Sequence, residues 1–315
     1  MRSTRLSIAL LIATGLLAGC GKANHTASPL ATTPGSTPTS DQALVTTAIA
    51  ASPQAIEDGL ADSNLDVTLD GTASGPSGVF AAIQPLNFWR RIDHVERTFD
   101  IEFSDNDANG RPTTAIVTIH KKLTGTFNIL TGTPGTDVTP PAEPTVIHKP
   151  LEDHWTRRVM LKRLRVAGED EDAEWHVVAI SGVQVTSKDA VTSIKSVRIQ
   201  TVDQDTTIVD PLAFRRLRQV LRVASGTQVK LTVTTGANDD VVVLYHRDHR
   251  FRFHNNGDFT YTGTWTTGLP MPGLLHVGIN ALSHGTLFDD QAPYDSQAWI
   301  FPYSVAPETL AEFMP

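Results

Sequence analysis

The sequence predicts a mainly β protein: an N-terminal α+β domain of short helices and a long antiparallel sheet, followed by a β-sandwich. Three observations predict this class. Apolar and polar residues alternate with period two over long stretches, Arg97 to Phe103 and Ala115 to Ile129. Short strand patterns recur at close spacing after Gln200. No long helical pattern is visible, and only 19% of the 315 residues are charged.

Residues 1–19 have the parts of a secretory signal peptide. Arg2 and Arg5 form a basic start, an apolar run follows from Leu6 to Leu17, and Ala18 and Gly19 are small. This run is shorter than the ~20 residues that a membrane-spanning helix needs. We therefore expect a segment that directs export and is then removed.

Cys20 is the single cysteine of the chain, so it has no disulfide partner within it. The run Leu17-Ala18-Gly19-Cys20 resembles the lipobox of bacterial lipoproteins. This resemblance implies cleavage before Cys20, lipidation of its thiol and a membrane anchor at the cell envelope. Gly21 stands where inner-membrane members usually have Asp, which favours the outer membrane if the cell has one. The alternative is an ordinary signal peptide with an incidental cysteine.

The next segment, residues 20–40, is predicted to be a disordered tether. It consists largely of Ala, Thr, Ser, Pro and Gly and has no apolar periodicity. Two short helices are expected after it, the first capped by Ser40 and the second begun by Ser52-Pro53. They open the predicted α+β domain, residues 41–199.

The strands of this domain pair as two predicted hairpins. Residues 105–112 form the turn of the first, and the second joins residues 155–166 to residues 175–185. Short helices followed by long antiparallel strands resemble the cone-shaped nuclear-transport-factor-two-like fold. This resemblance is one of architecture and implies a sheet with one covered face. Some other domain of helices and sheet remains the alternative.

Residues 200–306 are predicted to form the sandwich as a separate unit, with 307–315 as a C-terminal tail. The expected strands are short and bounded by turn residues such as Asn255 to Asp258. They cover residues 229–233, 241–245, 251–253, 259–265, 275–281 and 299–305. This stretch resembles the immunoglobulin-like modules of bacterial surface proteins, although it lacks their cysteine pair.

The net charge excludes one class of partner. The chain carries 26 Lys and Arg against 34 Asp and Glu, a formal charge of −8. Removal of residues 1–19 takes away Arg2 and Arg5 and no acid, which leaves −10. An acidic protein repels phosphate backbones, so we expect no nucleic-acid partner.

One turn has part of a calcium-loop pattern. Asp105, Asp107, Asn109 and Gly110 match the opening of the EF-hand loop, in which alternate oxygen ligands converge on the ion. The twelfth position is Ile116 instead of the bidentate Glu, which excludes an EF-hand. A weak calcium turn and an ordinary polar hairpin turn are the two interpretations. We expect no other cofactor.

Histidines are densest between residues 246 and 254. His246, Asp248 and His254 share strand parity, and His249 lies between them. Two imidazoles and a carboxylate suit a transition metal. Arg250 and Arg252 share that face and disfavour a cation. The sequence therefore favours a solvent-facing strand.

Two other polar groups carry weaker hypotheses. The loop carboxylates are candidate calcium ligands, but a solvated connection is the ordinary interpretation; they are Asp289, Asp290 and Asp295. A charged stretch beside Phe88 and Trp89 is a candidate pocket rim, in which His94 would form an acid–base pair with Asp93 or Glu96. Its residues are Arg90, Arg91, Asp93, His94 and Glu96.

None of the common catalytic motifs is present, including G-x-S-x-G, H-E-x-x-H, the P-loop and C-x-x-C. We therefore assign no catalytic or cofactor-binding residue. The sequence favours a membrane-anchored lipoprotein that binds or scaffolds a protein or polysaccharide without catalysis. The alternative is a small-ligand-binding or enzymatic cone-fold domain on a sandwich spacer.

Overall fold

Two β-sheets organise the chain in the computed structural model, and the protein is mainly β as the sequence predicts. The structure describes residues 40–61, 66–68, 83–132, 144–164, 174–216, 220–246, 249–269 and 273–306. The predicted signal peptide, Cys20, most of the tether and the C-terminal tail lie outside these ranges. So do the turn of the second predicted hairpin, between 166 and 175, and residues 133–143.

A helical segment comes first. Helix α1 is Ser40–Ala50 and α2 is the single turn Pro53–Ile56, and both begin where the sequence predicts. Val45 and Ile49 of α1 are buried one helical turn apart. We call residues 40–61 the strap, because they lie across one face of the sheet described next.

Four long strands follow, with the minor strand β1, Asp66–Thr68, at the edge. They are β2 (Pro85–Asn106), β3 (Pro112–Thr131), β4 (Thr145–Leu164) and β5 (Glu174–Ser187). We call them the long sheet. Alternate residues of β3 and β4, such as Ile119 and Trp155, are buried on one face, which we call the inner face. The alternation in the sequence predicted β3 and its buried face correctly, but residues 97–103 and 155–166 were the only parts predicted of the longer strands β2 and β4.

A bulge in β2 changes which residues face inward. The register between β2 and β3 shifts between Ile92 and His94. A Cβ at the facing Gly125 would lie 1.9 Å from the Arg91 carbonyl oxygen, so only glycine fits there. Even-numbered residues such as Arg90 face inward before the bulge, whereas odd-numbered residues do so after it.

The remaining strands complete two sheets that pack face to face. They are β6 (Ile194–Gln200), β7 (Asp205–Ile208), β8 (Arg215–Arg216), β9 (Leu221–Ala224), β10 (Gln228–Thr235), β11 (Val241–His246), β12 (His249–Arg252), β13 (His254–Asn255), β14 (Thr260–Thr266), β15 (Leu275–Leu282) and β16 (Ser296–Ala306). Helix α3, His284–Phe288, precedes β16. The sequence did not predict β6–β9 or α3.

The long sheet continues without interruption into the C-terminal part. One eleven-stranded sheet has the order β1-β2-β3-β4-β5-β16-β15-β11-β12, with β8 on β5 and β9 on β16. The junction is the antiparallel pair β5–β16, in which Val183 faces Ile300. The second sheet has five strands in the order β13-β14-β10-β6-β7.

Two hydrophobic clusters lie in this framework. The first joins the strap to the inner face of the long sheet, with Val45, Ile49, Leu123 and Trp155 among its members. The second fills the space between the five-stranded sheet and strands β11, β15 and β16, as expected for a β-sandwich. Strand β6 contributes to the second cluster although it precedes the predicted boundary at residue 200.

Candidate functional site

The inner face of the long sheet carries charged side chains among its apolar ones, and five of them are cations that contact the strap. Strand alternation places them inward, and each has a partner in the strap. They are Arg90, Arg97, Lys121, Arg157 and Arg163. Because burying an unpaired charge costs several kcal/mol, the strap and these cations need each other.

Asp58 of the strap lies at the centre of this set and is buried. Its Oδ2 accepts a hydrogen bond from the Trp155 indole N–H at 2.7 Å. Its Oδ1 accepts from the backbone N–H groups of Leu60 at 2.8 Å and Ala61 at 2.7 Å. Burial alone would raise the pKa of Asp58, but Lys121, the Ala61 amide and Arg157 outweigh it and keep the pKa below its ordinary value. Asp58 is therefore a buried carboxylate anion.

Lys121 and Arg157 both lie close to the Trp155 indole that donates to this carboxylate. The Lys121 ammonium is 4.6 Å from the centre of the Trp155 ring and 3.8 Å from a carboxylate oxygen of Glu57. Arg157 donates to the Ala55 carbonyl at 3.4 Å and to His276 Nε2 at 3.3 Å. Burial lowers the pKa of Arg157 to about 10, and burial and Arg157 lower that of His276 to about 4. His276 is therefore neutral at pH 7 and accepts this bond.

A second buried ion pair lies within the long sheet, and Tyr294 connects it to the segment that precedes β16. Arg90 Nη1 lies 3.4 Å from Asp153 Oδ2, and Arg90 Nη2 donates to the carbonyls of Leu60 at 3.3 Å and Ala61 at 3.1 Å. The Tyr294 hydroxyl donates to the same Asp153 oxygen at 3.3 Å. Burial raises the pKa of Asp153, although Arg90 and Tyr294 oppose this effect.

Little space remains beside Arg90, where the strap, the long sheet and strand β16 meet. A cavity of about 20 Å³ lies among residues of the strap, β2, β5, β11, β15 and β16. Its polar lining includes Arg90, Tyr245 and Asn280. A water molecule needs about 10–15 Å³ of such volume, so this cavity has room for one water and not for an organic substrate.

The predicted calcium turn joins β2 to β3 at the tip of the long sheet. Asp107 Oδ1 accepts from the backbone N–H groups of Asn109 at 2.8 Å and Arg111 at 2.9 Å. The Asp105 carbonyl accepts from the Thr113 hydroxyl. These bonds are those of an Asx-type turn. No group of three or more metal-ligating side chains of His, Cys, Asp or Glu occurs in the described ranges.

The prediction of a solvent-facing histidine strand is wrong for His246. All six residues of β11 are buried, and His246 is hydrogen-bonded to the Tyr303 hydroxyl and packed beside the rings of Trp265 and Tyr303. One face of β11 lies in the second cluster through Val242 and Leu244, and the other lies in the first cluster through Val241 and Val243, so parity gave no exposed face. His254 is exposed as predicted, whereas Asp248 and the His249 side chain lie outside the description.

The loop carboxylates have separate structural roles. Asp295 accepts from the backbone N–H groups of Val191 at 3.1 Å and Thr192 at 3.2 Å, and from the Thr192 hydroxyl at 2.9 Å. The Asp289 carboxylate accepts from the Gln291 N–H at 2.9 Å, and its backbone carbonyl accepts from the Lys149 ammonium at 2.6 Å. Asp295 thus joins the β5–β6 connection to the start of β16.

The bulge in β2 divides the candidate rim. Arg90 faces inward to Asp153, whereas Arg91 and Asp93 form an exposed ion pair at 2.9 Å. His94 and Glu96 are exposed on the opposite face of the sheet. The rim residues therefore do not line a common pocket, and Arg90 alone belongs to the buried network.

The central residues of this network were missed at the sequence level, although a signal for them existed. The apolar phase of β3 runs through Ile119 and Leu123, and Lys121 occupies the same phase between them. Asp153 and Arg157 likewise share the phase of Trp155 in β4. A charged residue at an inward position predicts a buried partner, but the sequence does not identify Asp58 as that partner.

Comparison with known proteins finds no matching family model, curated protein or solved structure. Within the ranges that the structure describes, no helix has the length and apolar character to cross a membrane.

Proposed function

We propose that this protein is a membrane-anchored lipoprotein of the cell envelope with a non-catalytic binding or scaffolding role. Its proposed layout is a cone-like α+β region followed by an immunoglobulin-like sandwich. One observation carries the non-catalytic part: the inner face of the long sheet is buried in the first cluster, to which the strap contributes, and the strap pairs with five of its cations. The cavity at the junction, of about 20 Å³, is too small for a substrate.

The anchor rests on the N-terminal sequence. A short apolar run ending in Leu17-Ala18-Gly19-Cys20 supports lipidation of Cys20, and a polar tether separates Cys20 from the strap. One acyl chain holds a protein only marginally, whereas two or three on the same cysteine give a durable anchor. The tether would then place the folded part away from the membrane surface.

The outer face of the long sheet supports a polar partner, a protein or a polysaccharide. Polar pairs cross its strands, among them the ion pair Lys122–Glu152 at 3.1 Å and the contact of His120 with Asp100 at 3.2 Å. A shallow depression of about 310 Å³ lies beside them and is lined in part by His120, Lys122 and His154. Such a face offers hydrogen bonds and charges over a wide area without an enclosed pocket.

Replacement of Cys20 tests the proposed anchor. We expect the native protein to fractionate with membranes and its mature N-terminus to carry acyl chains. Cys20→Ala should abolish acylation and leave a soluble or unprocessed protein. Intact-mass spectrometry of the two proteins measures this directly. A mature N-terminus of the native protein without lipid would contradict the proposal.

The ligand-binding form of the alternative, a cone-fold domain for a small ligand, is favoured by one specific observation. The inner face combines cations with apolar surface, and the strap supplies contacts to both. This observation leads to the inference below.

A further inference from the structure

The strap lies over part of the inner face as a single layer. In α1, Val45 and Ile49 are buried in the first cluster, whereas Leu44 on the other side is 52% exposed. The apolar residues of β3 nearest Lys121 are Ile119 and Leu123, whereas Phe127 further along packs against Tyr294. Departure of the strap would therefore expose the apolar surface around Lys121 together with the cations that the strap pairs.

Acidic groups of the strap make the polar contacts with this surface. Asp58 accepts from Trp155, Glu57 lies 3.1 Å from Arg97 and 3.8 Å from Lys121, and Asp41 pairs with Arg163. Carbonyl groups of the strap accept from Arg90 and Arg157. The strap thus offers the sheet what an acidic ligand with an apolar body would offer.

We propose that the inner face is a binding site for an anionic amphiphile, an acyl chain with a carboxylate or phosphate head, and that the strap occupies this site in the described conformation. Asp58 stands in the position of the head group. This site goes beyond the proposed scaffolding role and does not depend on lipidation of Cys20.

The chemistry of the face selects this class of ligand. The Trp155 indole N–H and the charges of Lys121 and Arg157 act on one carboxylate position, which suits an anionic head group. A small anion would leave the apolar surface exposed to water once the strap had moved. An acyl chain would cover it, at about 0.8 kcal/mol for each buried CH₂ group.

The strap has the properties of a segment that can be displaced. Helix α1 has 11 residues and α2 has four, both below the ~12–15 residues at which isolated helices become stable. Buried ion pairs add little net stability because desolvation offsets much of their attraction. The strap also follows directly after the predicted tether.

Photo-crosslinking tests the site in the full chain, solubilised in a non-ionic detergent. The probe is palmitic acid with a diazirine in the chain, and peptide mass spectrometry locates the adducts. We expect adducts on inner-face segments of β3 and β4. Asp58→Ala removes charge-assisted bonds of the strap, so labelling should rise ~10-fold.

Asp295→Ala is the matched control, because Asp295 also accepts bonds from backbone amides but lies away from the strap. It should leave inner-face labelling unchanged. Equal labelling in both variants would overturn the proposal, since general destabilisation would then explain it. Glu57→Gln, at a half-exposed strap residue, should also raise labelling, and it decides the question if Asp58→Ala does not fold.

The head group is tested by a second pair of probes. A diazirine alcohol of the same chain length should label Asp58→Ala more weakly than palmitic acid. Adding Lys121→Met should remove that difference. Equal labelling of Asp58→Ala by the acid and the alcohol, with Lys121 intact, would overturn the proposal that the head group is an anion. A lysophosphatidic acid probe then distinguishes phosphate from carboxylate by competition with palmitic acid.

Discussion

The two hydrophobic clusters of this protein are built on different principles. The cluster under the long sheet is accompanied by buried charges, including Asp58, Lys121, Asp153 and Arg157, whose partners connect the strap, β2, β3 and β4. The cluster of the sandwich consists of apolar and aromatic side chains from two facing sheets, such as Leu231, Ile279 and Trp299. Its hydrogen-bonded histidine, His246, is paired with Tyr303.

Buried charge pairs and apolar packing constrain a structure in different ways. Apolar packing tolerates substitutions of similar volume, whereas a buried charge is tolerated only when its partner is correctly placed. The long sheet therefore specifies the position of one particular segment, the strap. The sandwich instead specifies the stacking of two sheets.

The largest expected effect concerns the sandwich and strand β6. Strand β6 lies between β10 and β7, and it supplies Ile194, Val197 and Ile199 to the sandwich cluster. A fragment of residues 191–306 should unfold cooperatively in urea. A fragment of residues 200–306 should not, because β7 loses its partner and the cluster is opened.

Tryptophan fluorescence of Trp265 and Trp299 follows both fragments through this experiment. Cooperative unfolding of the shorter fragment would support the sequence-based boundary at residue 200. Failure of both fragments would show that the β5–β16 pairing makes the two regions one folding unit.

The next effect concerns the buried pair in the long sheet. Arg90→Met leaves the Asp153 carboxylate buried beside Tyr294 without its cation. Breaking such a pair lowers the free energy of unfolding by about 3–5 kcal/mol. The double variant Arg90→Met with Asp153→Leu should recover much of this loss, as measured by urea denaturation.

The matched control lies in the sandwich. Arg198 and Asp205 form an ion pair whose side chains are 50% and 49% exposed. Arg198→Met should leave the urea midpoint unchanged, because solvent screens such pairs. Equal effects of Arg90→Met and Arg198→Met would contradict the distinction between the two regions.

The smallest effect concerns a carboxyl group at the start of β11. Asp240 is buried, and burial raises its pKa to about 6. The folded state therefore binds a proton more readily than the unfolded state, and its stability falls as pH rises from about 4 to 6. Asp240→Asn should raise the free energy of unfolding at pH 7 by ~2 kcal/mol.

This gain should disappear at pH 4, where Asp240 is protonated in the folded protein. Urea denaturation of both proteins at pH 4, 5, 6 and 7 measures the difference. Asp239→Asn at the exposed neighbour is the control and should give a smaller gain. A gain that is independent of pH would contradict the assigned pKa shift.

Much of the framework was predictable from local patterns. Alternation identified β3 with its buried face and residues 97–103 of β2, and Asp107 with Gly110 marked the turn between them. Several strands of the sandwich, including β10, β14 and β15, were also correct. These features depend on neighbours in the sequence, where side-chain periodicity is directly visible.

The errors have long-range causes. Strand β6 was missed because its pairing with β10 connects residues far apart in the chain. His246 was placed on a surface because alternation cannot show that both faces of β11 are covered. The bulge at Asp93 reversed which residues of β2 face inward. It is visible only in the tertiary structure, as a register shift against β3 and a close backbone approach at Gly125.

The sequence by itself determined the β-rich class and the alternation of the long strands, since both are encoded in adjacent residues; the lipid anchor at Cys20 stays a prediction from the same kind of local pattern. The tertiary structure alone decided that Lys121, Trp155 and Arg157 meet Asp58 beneath the strap. A strand pattern states that a charge faces inward. The partner of that charge depends on how the strap folds back over the sheet. Charges pair with groups that are near in space, and proximity in space cannot be read from the order of residues.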